Sequence, residues 1–314
     1  FVADLRQRPL RPVKVRWNRF CCLTYSPEMD FYAAFYYIPP MQCWMLLGGK
    51  NPLEANSWKR LCDLPKQESP FLFLDQRPRW FGRYLCFGDR QSATILTMNP
   101  QGVERVQRFP LPKAQHPCRF ACDGLGRILL AHGEETYCFE NGTLSPLGFR
   151  ISSGDGFNGV IPVPGTGRLV MCGFTDRELD ARLLELDVET RRCRATRMQN
   201  VDPWSVLLPF GEDWVLVKGS CDSMRLDFAR LWNRTTGEVL RIRPGMFGSE
   251  RLEHIGRLND GRVVLTTLRS HVGQVVHFST DFWSFLRSAS RPQTLEPMQP
   301  CEALYPDIPL KLPK

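Results

Sequence analysis

The sequence predicts an all-β chain built from one repeated four-stranded unit, and three observations predict it. Short runs of alternating apolar and polar residues, separated by turn formers, recur along most of the 314 residues. Alternation at period two marks a half-buried strand, and Asn, Thr or Gly between two such runs marks a hairpin. An anchor residue follows a turn and precedes an apolar run at Arg83, Arg127, Arg168, Trp214 and Arg262, with spacings of 44, 41, 46 and 48 residues. No amphipathic helical window of useful length interrupts the pattern.

Residues 1–23 include VKVRWNRFCCLTY, which reads as one or two strands. FYAAFYYIPPMQCWMLLGG with SWKRLCDLP makes a first unit. WFGRYLCFG then leads to the hairpin ATILTMNPQGVERVQRF, and GLGRILLAH to TYCFENGTLSPLGF. GTGRLVMCG is followed by ARLLELDVETRRCRATRM, GEDWVLVKG by ARLWNRTTGEVLRI, and NDGRVVLTT by VVHFSTDFWSFLRS, expected as the last strand-turn-strand hairpin. A further apolar run precedes each anchor, as in CRFACD or WSVLLPF. Four strands in about 45 residues is the period of a β-propeller blade.

Local motifs agree with the period. FACDGLGRILLAHGEETYCFENG resembles the Asp-Gly-x-Gly-Arg units of sensor and lactonase-type propellers. LWNRTTGEVLRI is similar to the outer hairpin of a Trp-Asp (WD40-like) repeat, with Asn233 in place of the Asp. WMLLGGKNPLEANSWKRLCDLP resembles a kelch blade, with the Gly48-Gly49 doublet and Trp58. The resemblance is to β-propeller repeats at superfamily level and covers residues 24–290. It implies a single β-propeller of about six four-stranded blades, with a composite seventh as the alternative. Residues 1–23 are then N-terminal strands able to close the propeller, because uniting both termini in one blade removes exposed edges. Residues 291–314 form a Pro-rich C-terminal tail, poor strand material that could pack across a face.

Composition bounds the function. With 43% apolar residues, eight Trp and twenty Phe, a core is amply supplied. No run approaches the roughly eighteen apolar residues of a membrane helix, so no membrane partner is expected. The chain starts at Phe1, which leaves a removed signal or a preceding domain open. The twelve Cys are scattered, and Cys86, Cys138 and Cys172 fall inside apolar runs where Cys packs as a small core residue. Cys118 and Cys122 lack the second pair that zinc needs. These features point to reduced thiols in a cytoplasmic protein.

The net charge of +8 rests on Arg, which supplies 33 of the 41 basic residues. Arg binds carboxylates and phosphates in a planar fork, which suits an acidic protein surface or a nucleic acid. Nothing resembles a nucleic-acid motif, so the protein partner is favoured. The candidate surface is Arg191, Arg192, Arg194 and Arg197, on a strand expected to be outermost, together with Arg225, Arg230 and Arg234 of the next hairpin. The plain alternative is that these charges protect a sheet edge from pairing with another chain.

A catalytic reading competes with this one. Resemblance to lactonase-type propellers, in DGFNGVIPVPGTGRLVMCG, implies a divalent cation held by Asn158, with Asp202 as an acidic ligand. Gly-Phe precedes Asn158 where that family has Pro, and Cys118 stands where a further Asn belongs. Asn158 and Asp202 otherwise read as turn residues. His116, His132, His254, His271 and His277 form no metal-ligand spacing, and His132 is expected at the surface. No GxSxG elbow or phosphate loop occurs, and the sequons at Asn141 and Asn233 lie in turns. The sequence therefore points away from an enzyme and from any cofactor or metal. It points toward a scaffold or recognition subunit, with the lactonase-type hydrolase and a small-ligand sensor propeller as the alternatives.

Overall fold

Hairpins with an Asn or Asp at the turn are the local rule of this chain, and they appear in a computed structural model as expected. The structure describes residues 20–38, 43–51, 54–63, 78–114, 117–133, 135–150, 160–175, 178–198, 205–211, 213–218, 229–242, 251–257, 262–269, 273–279, 282–290, 293–297 and 299–301. The chain divides into two compact units, Phe1–Phe120 with Ile128–Leu147, and Ala121–Arg127 with Gly148–Lys314.

In the first unit, β1 (Phe20–Ser26), β2 (Phe31–Ile38), β3 (Cys43–Gly49) and β4 (Lys59–Asp63) form one antiparallel meander. β5 (Arg79–Phe81), β6 (Tyr84–Gly88), β7 (Ser92–Asn99) and β8 (Gly102–Pro110) form a second, and β9 (Arg119–Cys122), β10 (Ile128–His132), β11 (Glu135–Glu140) and β12 (Thr143–Arg150) a third. In the second and third sheets burial is greatest in the inner strands and least in the fourth. Every residue of β10 is buried, and β7 is buried from Ala93 to Met98, whereas the fourth strand β8 has no buried residue and alternates from the exposed Val106 to Pro110. An apolar run buried on both faces followed by an alternating one is the signature of stacked sheets with a solvated outer strand. The Gly48-Gly49 doublet has a steric cause. A Cβ at Gly48 would stand 2.4 Å from Phe31 Cε1, and one at Gly49 would stand 2.5 Å from the Ser57 carbonyl oxygen.

In the second unit, β13 (Val160–Val163), β14 (Arg168–Thr175), β15 (Glu178–Asp187) and β16 (Arg192–Arg197) make a fourth meander. β17 (Val206–Pro209), β18 (Trp214–Lys218), β19 (Arg230–Asn233) and β20 (Glu238–Arg241) make a fifth, and β21 (Arg251–Arg257), β22 (Val263–Arg269) and β23 (Gly273–Ser279) a sheet of three. The fifth sheet alternates as period two requires. Val215, Val217, Trp232 and Val239 join one core cluster with Ile161, Val170 and Leu183. Trp214, Leu216, Leu231 and Leu240 turn to another with Phe210, Ala229 and Val263. Each such fully buried side chain is worth about 1.5–3 kcal/mol.

The turns between third and fourth strands explain why the hairpin pattern recurs. Asn99 Oδ1 accepts from the Gln101 and Gly102 N–H at 2.9 and 3.0 Å. Asp187 Oδ1 accepts from Glu189 and Thr190 at 3.1 and 2.9 Å, and Asn233 Oδ1 from Thr235 and Thr236, both at 2.9 Å. Asn233 thus does locally what an Asp would do. The β11–β12 turn uses Asn141 and Gly142 with φ of 51° and 81°, the paired left-handed geometry of a tight hairpin.

Two expectations are corrected. The segment VVHFSTDFWSFLRS is not a hairpin: after β23 it forms helix α1 (Phe282–Ser290). Phe282 and Leu286, one helical turn apart, enter the core beside Trp214 and Leu231, and Trp283 stacks on Trp214 at 4.7 Å. The Pro-rich tail is also not strand-free. β24 (Gln293–Thr294) pairs with β20, and β25 (Gln299–Cys301) pairs with β16. Consequently β16 is not the outermost strand of its sheet.

Candidate partner-binding cleft

The C-terminal segment and the outer strands of the fourth and fifth sheets enclose a cleft of about 730 Å³ in the second unit. Its walls come from Glu185 on β15, Arg194 and Thr196 on β16, and the β19–β20 turn from Trp232 to Gly237. Leu295, Glu296 and Pro297 line it from the tail. Glu185 stands opposite Arg194 in the ladder and accepts from Arg194 Nε and Arg168 Nη1, each at 3.1 Å. Charges of one sign on neighbouring strands are thus drawn together by the carboxylate between them.

The tail is held by named bonds. The Leu295 N–H donates to the Gly237 carbonyl at 2.9 Å, and the Thr196 hydroxyl donates to the Glu296 carbonyl at 2.8 Å. On the opposite wall Arg234 Nη1 donates to the Pro162 carbonyl at 2.9 Å, and Thr235 Oγ1 donates to Asp213 Oδ1 at 3.0 Å. At the β15–β16 turn, burial alone would raise the Asp187 carboxyl. The backbone N–H and hydroxyl of Thr190, the Glu189 N–H and the charge of Arg168 outweigh that and hold it below the ordinary value.

The predicted surface residues separate. Strand alternation puts Arg192, Arg194 and Thr196 on one face of β16 and Cys193, Ala195 and Arg197 on the other. Arg191, in the preceding turn, is exposed with φ 54°. Arg194 and Arg234 meet at the cleft. Arg230 is buried at 4% exposure, opposite Arg241 across β19–β20. Desolvation, and then the charge of Arg241, lower its pKa. Arg225, Asn158 and Asp202 lie outside the described residues, as do His116 and His271. His132 is not at the surface: it is buried, with Nε2 2.5 Å from the Pro112 carbonyl. Among the described residues no group of three or more His, Cys, Asp or Glu is placed to hold a metal, and no helix is long and apolar enough to cross a membrane.

Sequence reasoning found the two Arg but missed Glu185, Thr196, Asp213 and Glu296. Glu185 carried a weak signal as the polar residue inside LLELD on an otherwise apolar strand. Glu296 carried none, because its place depends on a tail whose pairing is set by distant edges.

No known protein family matches the sequence, and no curated protein matches it. Similarity appears in structure. The β-propeller domain of the trilobed protease from Pyrococcus furiosus, which has an open velcro topology, superposes with a TM-score of 0.53 at 11% identity, over 88% of this chain and 85% of that one. The Pyrococcus horikoshii acylaminoacyl peptidase superposes with a TM-score of 0.50 at 11% identity, over 83% of this chain and 44% of that one. The chain therefore spans less than half of the peptidase. The fold is that of a β-propeller.

Proposed function

We propose that this chain is a non-catalytic propeller of six blades that acts in the cytoplasm as a protein-recognition subunit. The β21–β23 sheet is its sixth blade, and α1 packs against the fifth. The observation that carries the proposal is the manner in which the second unit already holds an extended segment. β16 and β20 each accept a short strand from the tail, and Thr196 and Gly237 fix the chain between them. Edge pairing combined with a side-chain cleft is a recurring way of recognising extended protein segments.

The partner presents carboxylates to Arg191 and Arg192, the exposed basic residues beside the cleft, with Arg194 and Arg234 at its wall. Exposed charge pairs are screened over about 8–10 Å at ordinary ionic strength, so the complex weakens as salt rises. The test is capture of the partner from the native host, repeated with Arg191, Arg192 and Arg194 changed to Glu. Loss of the captured protein, with the variant's melting temperature within a few degrees of wild type, is the expected result. A purified chain that brings down no partner and turns over a lactone or small ester alone would overturn it.

A further inference from the structure

Cys193 and Cys301 stand directly opposite each other in the β16–β25 ladder, although they are far apart in sequence. Directly opposite residues of an antiparallel pair lie about 4.5–5.5 Å apart at Cα, inside the roughly 4.4–6.8 Å range that a disulfide spans without backbone movement. Cys193 is buried at 3% exposure, and its thiol lies 3.7 Å from the Arg194 carbonyl oxygen. The two neighbouring pairs of the same ladder, Arg194 with Pro300 and Ala195 with Gln299, keep the register unbroken.

We propose that Cys193 and Cys301 form a reversible disulfide that locks the C-terminal strand onto β16. The bond forms by exchange with a small-molecule disulfide such as oxidised glutathione. One cysteine thiolate attacks that disulfide and releases one glutathione, leaving a mixed disulfide on the protein. The second thiolate then attacks the protein sulfur and releases the other glutathione. The two cysteines lose two electrons, the glutathione disulfide gains them, and the two thiol protons pass to the released glutathiones. In a reducing compartment such a bond is a transient, redox-responsive one. Locking closes a loop of roughly a hundred residues, which restricts the unfolded chain and stabilises the folded one. This inference is independent of the partner reading.

The test uses the full chain, equilibrated natively with oxidised glutathione, alkylated and mapped without reduction. A peptide pair joined through Cys193 and Cys301, released by a phosphine reductant, is expected. The melting temperature should rise by several degrees on oxidation, and Cys301→Ser should abolish that rise without lowering the reduced protein's own value by more than a few degrees. Mapping the wild type needs no variant to fold. Finding Cys193 unmodified, capped only by glutathione, or joined to a different cysteine would overturn the proposal.

Discussion

β8 in the first unit and β16 in the second are both fourth strands of their meanders, and both are rich in charge, yet they meet different fates. β8 has no buried residue, exposes Glu104, Arg105 and Val106 in a row, and among the described residues is the last strand of its sheet. β16 instead accepts β25. The difference lies in the residues between the charges. β8 carries Val106 and Phe109 among Glu104, Arg105 and Arg108, whereas β16 sets the small Cys193 and Ala195 opposite the tail, with the Thr196 hydroxyl placed to bind the Glu296 carbonyl. Charge alone therefore does not keep an edge free. Small alternate side chains and one hydroxyl donor are enough to seat an extended segment there.

The largest expected effect separates the supported core from the exposed strand. Val215→Asp, beneath the fifth sheet's side of the cleft, buries an unpaired carboxylate and should cost about 3–5 kcal/mol in a denaturant melt. Val106→Asp on β8 should stay within about 0.5 kcal/mol, because that side chain is already in water. Equal losses at the two sites would erase the distinction between them.

A smaller effect sharpens it. Thr196→Val keeps the shape of the side chain and removes the bond to the tail, so it should cost about 1 kcal/mol and speed hydrogen exchange in β25 more than in β15. Uniform exchange rates in the variant would show that the tail is held by something else.

The smallest effect concerns acid. Asp187 is held below its ordinary value in the folded chain, so its contribution is present above the unfolded value near about 3.9 and is lost as pH falls through the folded value. The wild type should therefore lose melting temperature more steeply than Asp187→Asn below about pH 4. Parallel acid curves would remove the Asp187 turn from the account.

Four outer hairpins could be read from the sequence because their turns announce themselves: Asn99, Asn141, Asp187 and Asn233 each lie between alternating runs. The buried second strands could be read too, as at Ile128–His132, because burial on both faces leaves an unbroken apolar run. The last repeat misled for a physical reason. Its length fits a hairpin, but Phe282 and Leu286 are spaced for one helical face, and Thr280-Asp281 before them is a helix-start signal that the period overshadowed. The tail was illegible in a different sense. Strands of two and three residues carry no period, and Pro300 argues against strand, yet edge pairing tolerates Pro. Half of the cleft was hidden for the same reason, since its Arg residues lie on legible strands while Leu295–Pro297 do not.

The central claim is that recognition belongs to the augmented edge of the second unit and not to the bare fourth strand of the first. Hydrogen exchange on the captured complex tests it most directly. Exchange should slow at Arg192–Arg197 and Asn233–Gly237 when the partner is bound, with Gly102–Pro110 unchanged. Protection confined to Gly102–Pro110, with the cleft strands exchanging as in the free chain, would contradict it.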